Sequence, residues 1–316
     1  KKIIEECRCT IVPQPCPVSP KMPSLIYGLG VPVVVGPMNG GMFFPPSMNQ
    51  ESTLVAITKT LGRSVSRVAN RVLPGKLRAQ MLLVANERTQ SALPSNARGN
   101  DVRLFVENGV DLSRFTQLRS LPAERPSEIK IAFVGRLISL KCVDLLLDAY
   151  YQIRESNCSL HIFGDGPEFE KLSSQAESLG LSDTVNFHGF VSQEKCASQL
   201  AACHALIMPS IHDCGGAVVL EAMALGLMVV ASNWGGPADY LTDETGLLID
   251  VSNGREQFVS DLAIALQRIN SWDPALVQRG EVAKAAVVKG YCWEEKARAM
   301  LGLYREAIDT YECVKE

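Results

Sequence analysis

The stretch Ile129-Lys130-Ile131-Ala132-Phe133-Val134-Gly135-Arg136-Leu137-Ile138-Ser139-Leu140-Lys141 decides the fold. A short, nearly continuous apolar run closes on a glycine, which is the pattern of a strand buried on both faces of a parallel sheet. Val143, Leu146, Leu147, Tyr150 and Tyr151 then recur at helical spacing. Downstream the pair repeats. Strands are expected at 160–163, 184–188, 205–208, 228–231 and 246–249, with helices at 169–179, 193–202 and 217–225 between them. Strands alternating with helices of this length predict a doubly wound parallel sheet, whose ligands bind outside the carboxyl ends of the strands. Most glycine-rich turns of this region fall at those ends.

Upstream the pattern is less regular. Val31 to Val35 reads as a buried strand, with Gly36-Pro37-Met38-Asn39-Gly40-Gly41 as the loop after it. Cys9 to Val18 is crowded with prolines and cannot be a central strand throughout. A long helix is expected over 53–72, a strand at 81–85, a helix near 87–93 and a last strand at 102–106. Leu121 to Ser127, with two prolines, reads as a linker. These readings divide the chain into a partial N-terminal Rossmann-like domain at 1–121, a C-terminal ligand-binding domain at 128–290 and a closing helical segment at 291–316. The first domain has few strands for an α/β sheet, and its opening strands are expected to be missing.

Composition bounds the function. The 316 residues are 47% hydrophobic and 21% charged with a net charge of −3, which suits a globular protein and gives no basic field for nucleic acid. No apolar run is long enough to span a bilayer, and the start lacks the apolar core of a signal peptide, so a cytoplasmic location is expected. The ten cysteines show no Cys-x-x-Cys pair. Cys142, Cys158, Cys196, Cys203 and Cys292 sit in or beside apolar patterns as small hydrophobes. Cys203, His204, His212 and Cys214 are the nearest approach to a metal cluster, but a strand divides them and no metal site is assigned. His161 and His188 read as structural strand residues.

The strongest chemical signal is Pro209-Ser210-Ile211-His212-Asp213-Cys214-Gly215-Gly216-Ala217-Val218-Val219-Leu220-Glu221. Two acids flank a Gly-Gly loop and a helix start. The amides there form an anion site, and a carboxylate beside it can accept from the adjacent hydroxyls of a sugar. Arg136 and Lys141 bring two cations past the first strand of the same sheet, suited to a departing diphosphate.

Here the chain resembles the family 4 retaining glycosyltransferases, which have the two-domain GT-B fold. The resemblance runs from about Val31 to Ala307. It rests on Phe133-Val134-Gly135-Arg136-Leu137, Phe163-Gly164-Asp165-Gly166-Pro167, Phe187-His188-Gly189-Phe190-Val191, Glu221-Ala222-Met223-Ala224-Leu225-Gly226, and Gly235-Gly236-Pro237 through Thr245-Gly246-Leu247-Leu248. It implies a hexosyltransferase using a UDP- or GDP-linked sugar as co-substrate, with no cofactor and no metal. Arg136 and Lys141 match the pair that neutralises the diphosphate. Asp213 stands where the family usually has a glutamate near the donor sugar, and Glu221 matches the glutamate that holds the ribose. Gly135, Gly215, Gly216 and Ala217 match the donor loops, where Cys214 replaces a more usual glycine, and Phe190 with Val191 matches the segment near the base. Asn39, Gly40 and Gly41 fall on the acceptor side, where a histidine is common. The closing helix, about 293–308, looks like the family's helix that crosses back to the first domain.

The acceptor class stays open among a glycan, a lipid-linked sugar and a small molecule. Two other readings also stay open: a noncatalytic or truncated nucleotide-sugar-binding relative, and another GT-B enzyme such as a nucleotide-sugar epimerase. Lys59, Arg63, Arg67 and Arg71 form a basic stripe on the 53–72 helix. Opposite an apolar face, that stripe reads either as the solvated side of a helix packed on the first domain or as peripheral contact with an anionic inner-membrane surface.

Overall fold

The computed structural model describes residues 1–15, 19–48, 66, 68–99, 101–115 and 120–313. They form two units, one from Lys1–Phe43, Gln50–Asn108 and Glu294–Glu316, the other from Phe44–Asn49 and Gly109–Trp293.

The first unit holds a parallel sheet of β1 (Val12–Gln14), β2 (Val33–Met38), β3 (Met81–Val84) and β4 (Asp101–Leu104), paired in that order. Pro13 interrupts the donors of β1, and β1 is accordingly an edge strand. The second strand does not end before Gly36-Pro37 as the sequence pattern predicts. β2 continues to Met38, which pairs with Val84 after a register shift and accepts a 2.8 Å bond from the Ala85 amide. Gly36 makes this bulge feasible: at its φ of +120° a Cβ would sit 2.3 Å from the Leu83 carbonyl oxygen. The short helix α1 (Glu87–Ala92) follows β3, its first turn capped by the Asn86 side chain, which accepts from the Thr89 amide at 2.8 Å. Ala307 of the closing helix packs with Val34, Met81 and Leu83 on one face of the sheet. The 53–72 helix, with Lys59, Arg63 and Arg67, lies almost wholly outside the described residues; residues 68–72 are helical and Arg71 is exposed.

The second unit is a six-stranded parallel sheet. Its strands are β5 (Ile129–Val134), β6 (Cys158–Phe163), β7 (Val185–Gly189), β8 (Ala205–Met208), β9 (Met228–Ser232) and β10 (Leu247–Ile249). The spatial order is β10-β9-β8-β5-β6-β7. β8 and β9 are buried along their whole length, as apolar strands covered on both faces must be. The connecting helices are α2 (Val143–Tyr151), α3 (Phe169–Ser178), α4 (Gln193–Ala201), α5 (Ala217–Ala224) and α6 (Gly236–Tyr240). The longer α7 (Arg255–Asn270) and α8 (Pro274–Gly290) follow them, and the closing helix α9 (Trp293–Cys313) belongs from Glu294 onward to the first unit. The chain runs from β5 outward to β7, then returns to place β8 on the other side of β5. That reversal opens a crevice at the carboxyl ends of β5 and β8, where an open α/β sheet binds ligands. No helix among the described residues is long and apolar enough to cross a membrane.

Candidate donor site

Three loops meet at the crevice. The loop after β5 (135–141) is held by the loop after β6. Gly135 donates to Phe163 O at 3.0 Å, Leu137 to Asp165 O at 2.9 Å, and Glu168 back to Leu137 O at 3.0 Å. This contact explains the Gly164-Asp165-Gly166 motif. A Cβ on Gly164 would lie 1.9 Å from Gly135 O, and one on Gly166 2.4 Å from Leu137 O. Only glycine allows backbones this close. The loop after β8 joins through Ile211, whose amide donates to Leu140 O at 3.0 Å.

The side chains close the arrangement. Lys141 Nζ donates to Asp213 Oδ2, both side chains only 15–16% exposed. Asp213 Oδ1 accepts from the amides of Gly215 at 3.3 Å and Gly216 at 3.0 Å. Its own carbonyl accepts from the Gly236 amide at 2.7 Å. One short acid therefore ties the β5 loop, the Gly-Gly loop and the start of α6 together. A carboxylate has about four lone-pair sites, so capacity for a further hydroxyl remains. Gly216 caps α5 at φ +57°, a left-handed position where glycine is unstrained. The amides of Ala217 and Val218 in the first turn have no intrahelical acceptor and carry the positive end of the helix.

Arg136 is exposed on the same loop as Lys141, and its guanidinium forms no ion pair among the described residues. Glu221, the fifth residue of α5, lies in the second turn rather than the first. Its partner is Gln193, which directly follows the Phe190–Ser192 loop; burial raises its carboxyl pKa, while the Gln193 hydrogen bond and the Arg114 charge oppose the shift. Phe190 is 81% exposed and Val191 half-buried just before α4. Glu221 thus faces the β7 side of the site while Asp213 faces the β5 side. Cys214 is exposed on the loop between them.

Asn39, Gly40 and Gly41 belong to the first unit. Asn39 donates to Glu107, and Gly40 donates its amide to Thr89 Oγ1 at 3.1 Å. Gly41 lies against α1.

Several contributors escaped the sequence reading. Gln193 and Arg114 carry no motif. Ser210 is fully buried, its hydroxyl has no hydrogen-bond partner among the described residues and its carbonyl accepts from Ser232. A Ser heading the loop before an acid was the available signal. The divided Cys/His set has separate partners: His204 Nδ1 accepts from the Lys130 amide at 2.9 Å, and His212 lies 4.7 Å from the Phe44 ring. No group of three metal-ligating side chains exists among the described residues. The five cysteines read as small hydrophobes are all buried.

Residues 115–268 match the family model described as glycosyl transferases group 1. Among curated proteins, the chain is similar to the D-inositol 3-phosphate glycosyltransferase of Frankia alni, 30% identical over 74% of this chain and 63% of that protein. The namesake of Actinosynnema mirum is 34% identical over 66% of this chain and 52% of its own length. The chain thus spans between about half and just under two thirds of these relatives. Among solved structures it is similar to sucrose-phosphate synthase from Thermosynechococcus elongatus, with TM-score 0.64, 24% identity, and 89% and 69% of the two chains covered. It is also similar to Anabaena HepE in complex with UDP, with TM-score 0.62, 17% identity, and 87% and 72% covered. Residues 115–268 thus carry the match to glycosyl transferases group 1, and the two parallel Rossmann-like sheets share the GT-B fold of these solved structures.

Proposed function

We propose that the chain is the donor-binding part of a retaining glycosyltransferase of family 4, moving a hexose from a UDP- or GDP-linked sugar to an acceptor hydroxyl. The observation that carries this reading is the Lys141–Asp213–Gly216 arrangement at the N-terminus of α5, at the reversal of strand order. A cation and free helix amides converge there, as a departing diphosphate requires. The names of the curated relatives support transfer to a polyol phosphate, and the UDP-bound neighbour supports a nucleotide donor.

In this mechanism Glu221 accepts from the ribose hydroxyls and Phe190 with Val191 flanks the base. Arg136 and Lys141 balance the diphosphate, and the Ala217 and Val218 amides add the helix charge. The bond between the anomeric carbon and the phosphate oxygen breaks first. The acceptor oxygen then bonds to the same face, and its proton passes to the released phosphate oxygen. Asp213 holds the Gly-Gly loop and offers its remaining lone pairs to the sugar. Charge stabilisation comes from side chains and amides, so the reading needs no divalent ion.

The test is calorimetry with UDP- and GDP-sugars, followed by product stereochemistry with inositol phosphate as acceptor. A saturable donor isotherm and an α-linked product from an α-linked donor support the reading. No binding of any nucleotide sugar would end it.

A further inference from the structure

Residues 44–48 fold with the second unit, although they lie far from the rest of it in sequence. They form a short strap. A single turn at Pro46–Met48 is closed by the Met48 amide, which donates to Pro45 O at 3.0 Å, and Met48 is buried. Ser47 Oγ donates to Val251 O at 2.7 Å, just past the end of β10. At the other end of the strap, the Phe44 ring lies 4.7 Å from the His212 ring and is tilted to it by 36°. His212 follows β8, and β9 stands between β8 and β10 in the sheet. The strap is therefore anchored at the carboxyl ends of β8 and β10, where an open parallel sheet binds its ligands.

His212 stands apart from the other histidines. His161 Nδ1 and His188 Nε2 bond each other at 2.9 Å, and His204 Nδ1 accepts from the Lys130 amide. His212 is half-buried and directly precedes Asp213, yet among the described residues its ring nitrogens make no hydrogen bond or ion pair. Its ring is held by packing on Phe44 instead. That contact restricts the rotamers of the imidazole and so preorganises its polar edge. The chemistry of the two neighbours is complementary. The Asp213 carboxylate only accepts, whereas a neutral imidazole offers one donor and one acceptor. Side by side in one loop, they supply what two adjacent sugar hydroxyls require.

We propose that His212 is a specificity-determining residue of the donor site. It hydrogen-bonds a hydroxyl of the transferred hexose, next to the one that donates to Asp213, and Phe44 is the positioning residue for its ring. The inference rests on the donor-site reading and deepens it by naming the side chain that tells one sugar from another. Glu221, Phe190 and the loop amides hold the nucleotide in that reading, so His212 acts on the sugar moiety alone. A site built to hydrogen-bond a hydroxyl rejects the sugar that lacks it, because its own polar group is then left unpaired.

Calorimetry on the full chain compares UDP-glucose, UDP-N-acetylglucosamine and GDP-mannose with UDP and GDP alone. For the sugar nucleotide that binds tightest, His212→Ala is expected to lose about 10-fold in affinity and Phe44→Ala about 3-fold, while affinity for the bare nucleotide is unchanged. The bare nucleotide thus reports that each variant is folded. His212→Gln, which keeps a donor and an acceptor, should recover most of the loss, and Phe44→Tyr should bind like wild type. Monodeoxy analogues of the same sugar then locate the hydroxyl. One of them should bind wild type about 10-fold more weakly than the parent sugar, yet bind His212→Ala as well as the parent does. Equal losses for sugar nucleotide and bare nucleotide would mean a structural role and overturn the proposal. Wild-type affinity in His212→Ala, or a deoxy series that responds alike in both proteins, would overturn it too. If wild type binds no nucleotide and no sugar nucleotide, the donor-site reading falls and the inference falls with it. Nucleotide binding with an unchanged sugar preference in His212→Ala removes the inference alone.

Discussion

Lys141, at the end of the loop after β5, donates its ammonium to Oδ2 of Asp213, while the other carboxylate oxygen receives the amides of Gly215 and Gly216. The two residues are far apart in the chain yet meet because β5 and β8 are adjacent in the sheet. The pair sets the shape of the Gly-Gly loop before any ligand arrives, and it is mostly shielded from water.

A double-mutant cycle measures that coupling. Lys141→Met and Asp213→Asn should each weaken UDP-sugar binding, and the double variant should lose less than their sum, with an interaction of about 1–3 kcal/mol. Calorimetry provides all four corners. Fully additive losses would mean that the two side chains act independently.

Glu221 gives a pH signature. Burial raises its carboxyl pKa, so protonation begins at a higher pH than for an exposed glutamate. The ionised form is the one that accepts from ribose hydroxyls. Donor affinity should therefore fall as pH is lowered through the raised pKa, and Glu221→Gln should bind weakly without that step. By linkage the same shift favours the folded state at low pH, so Glu221→Gln should gain stability relative to wild type as pH rises past the raised pKa. Affinity and thermal melts across pH 4 to 8 check both signs.

The Gly164 contact predicts a backbone effect. Gly164→Ala places a methyl group 1.9 Å from Gly135 O at a φ of +148°, which no rotamer change relieves. Destabilisation of more than about 2 kcal/mol is expected. Gly180→Ala also has positive φ but nothing within 4 Å, so it should cost less; urea melts of the two variants compare steric clash with strain.

Lys76 adds a test in the alkaline range. Burial lowers its pKa to about 8 from 10.5, so between those values the unfolded chain binds the extra proton. Stability should rise with pH through this window, by up to roughly 3 kcal/mol from this residue alone. The slope should be shallower in Lys76→Met, though Lys296, also lowered to about 8, keeps part of it. Identical slopes in both proteins would refute the assignment.

Metal dependence is the last check. If side chains and helix amides balance the diphosphate, turnover should persist in EDTA and be unchanged by added magnesium or manganese. An enzyme silenced by the chelator and revived by either ion would need a metal that this reading does not supply.

The elements of the second unit were legible before folding, because apolar runs of buried parallel strands and helix-spaced stripes are local patterns. Ile129–Val134, Ala205–Met208 and Val143–Tyr151 lie where those patterns put them. Motif chemistry also marked Arg136, Lys141, Asp213, Glu221 and the glycine loop. Which of them touch depends on tertiary packing. Strand order is set by packing between distant segments, and adjacency of β5 and β8 is what pairs Lys141 with Asp213. Glu221 lies instead beside Gln193, since the fifth residue of a helix faces a different neighbour from the loop before it. The bulge at Gly36-Pro37 was equally invisible, because Gly-Pro reads locally as a strand end and only pairing across to Val84 holds the strand open to Met38. A cavity of the first unit gathers Lys21, Arg71 and Arg88 from three separate segments; no local periodicity links them, and only the folding of that unit brings them together.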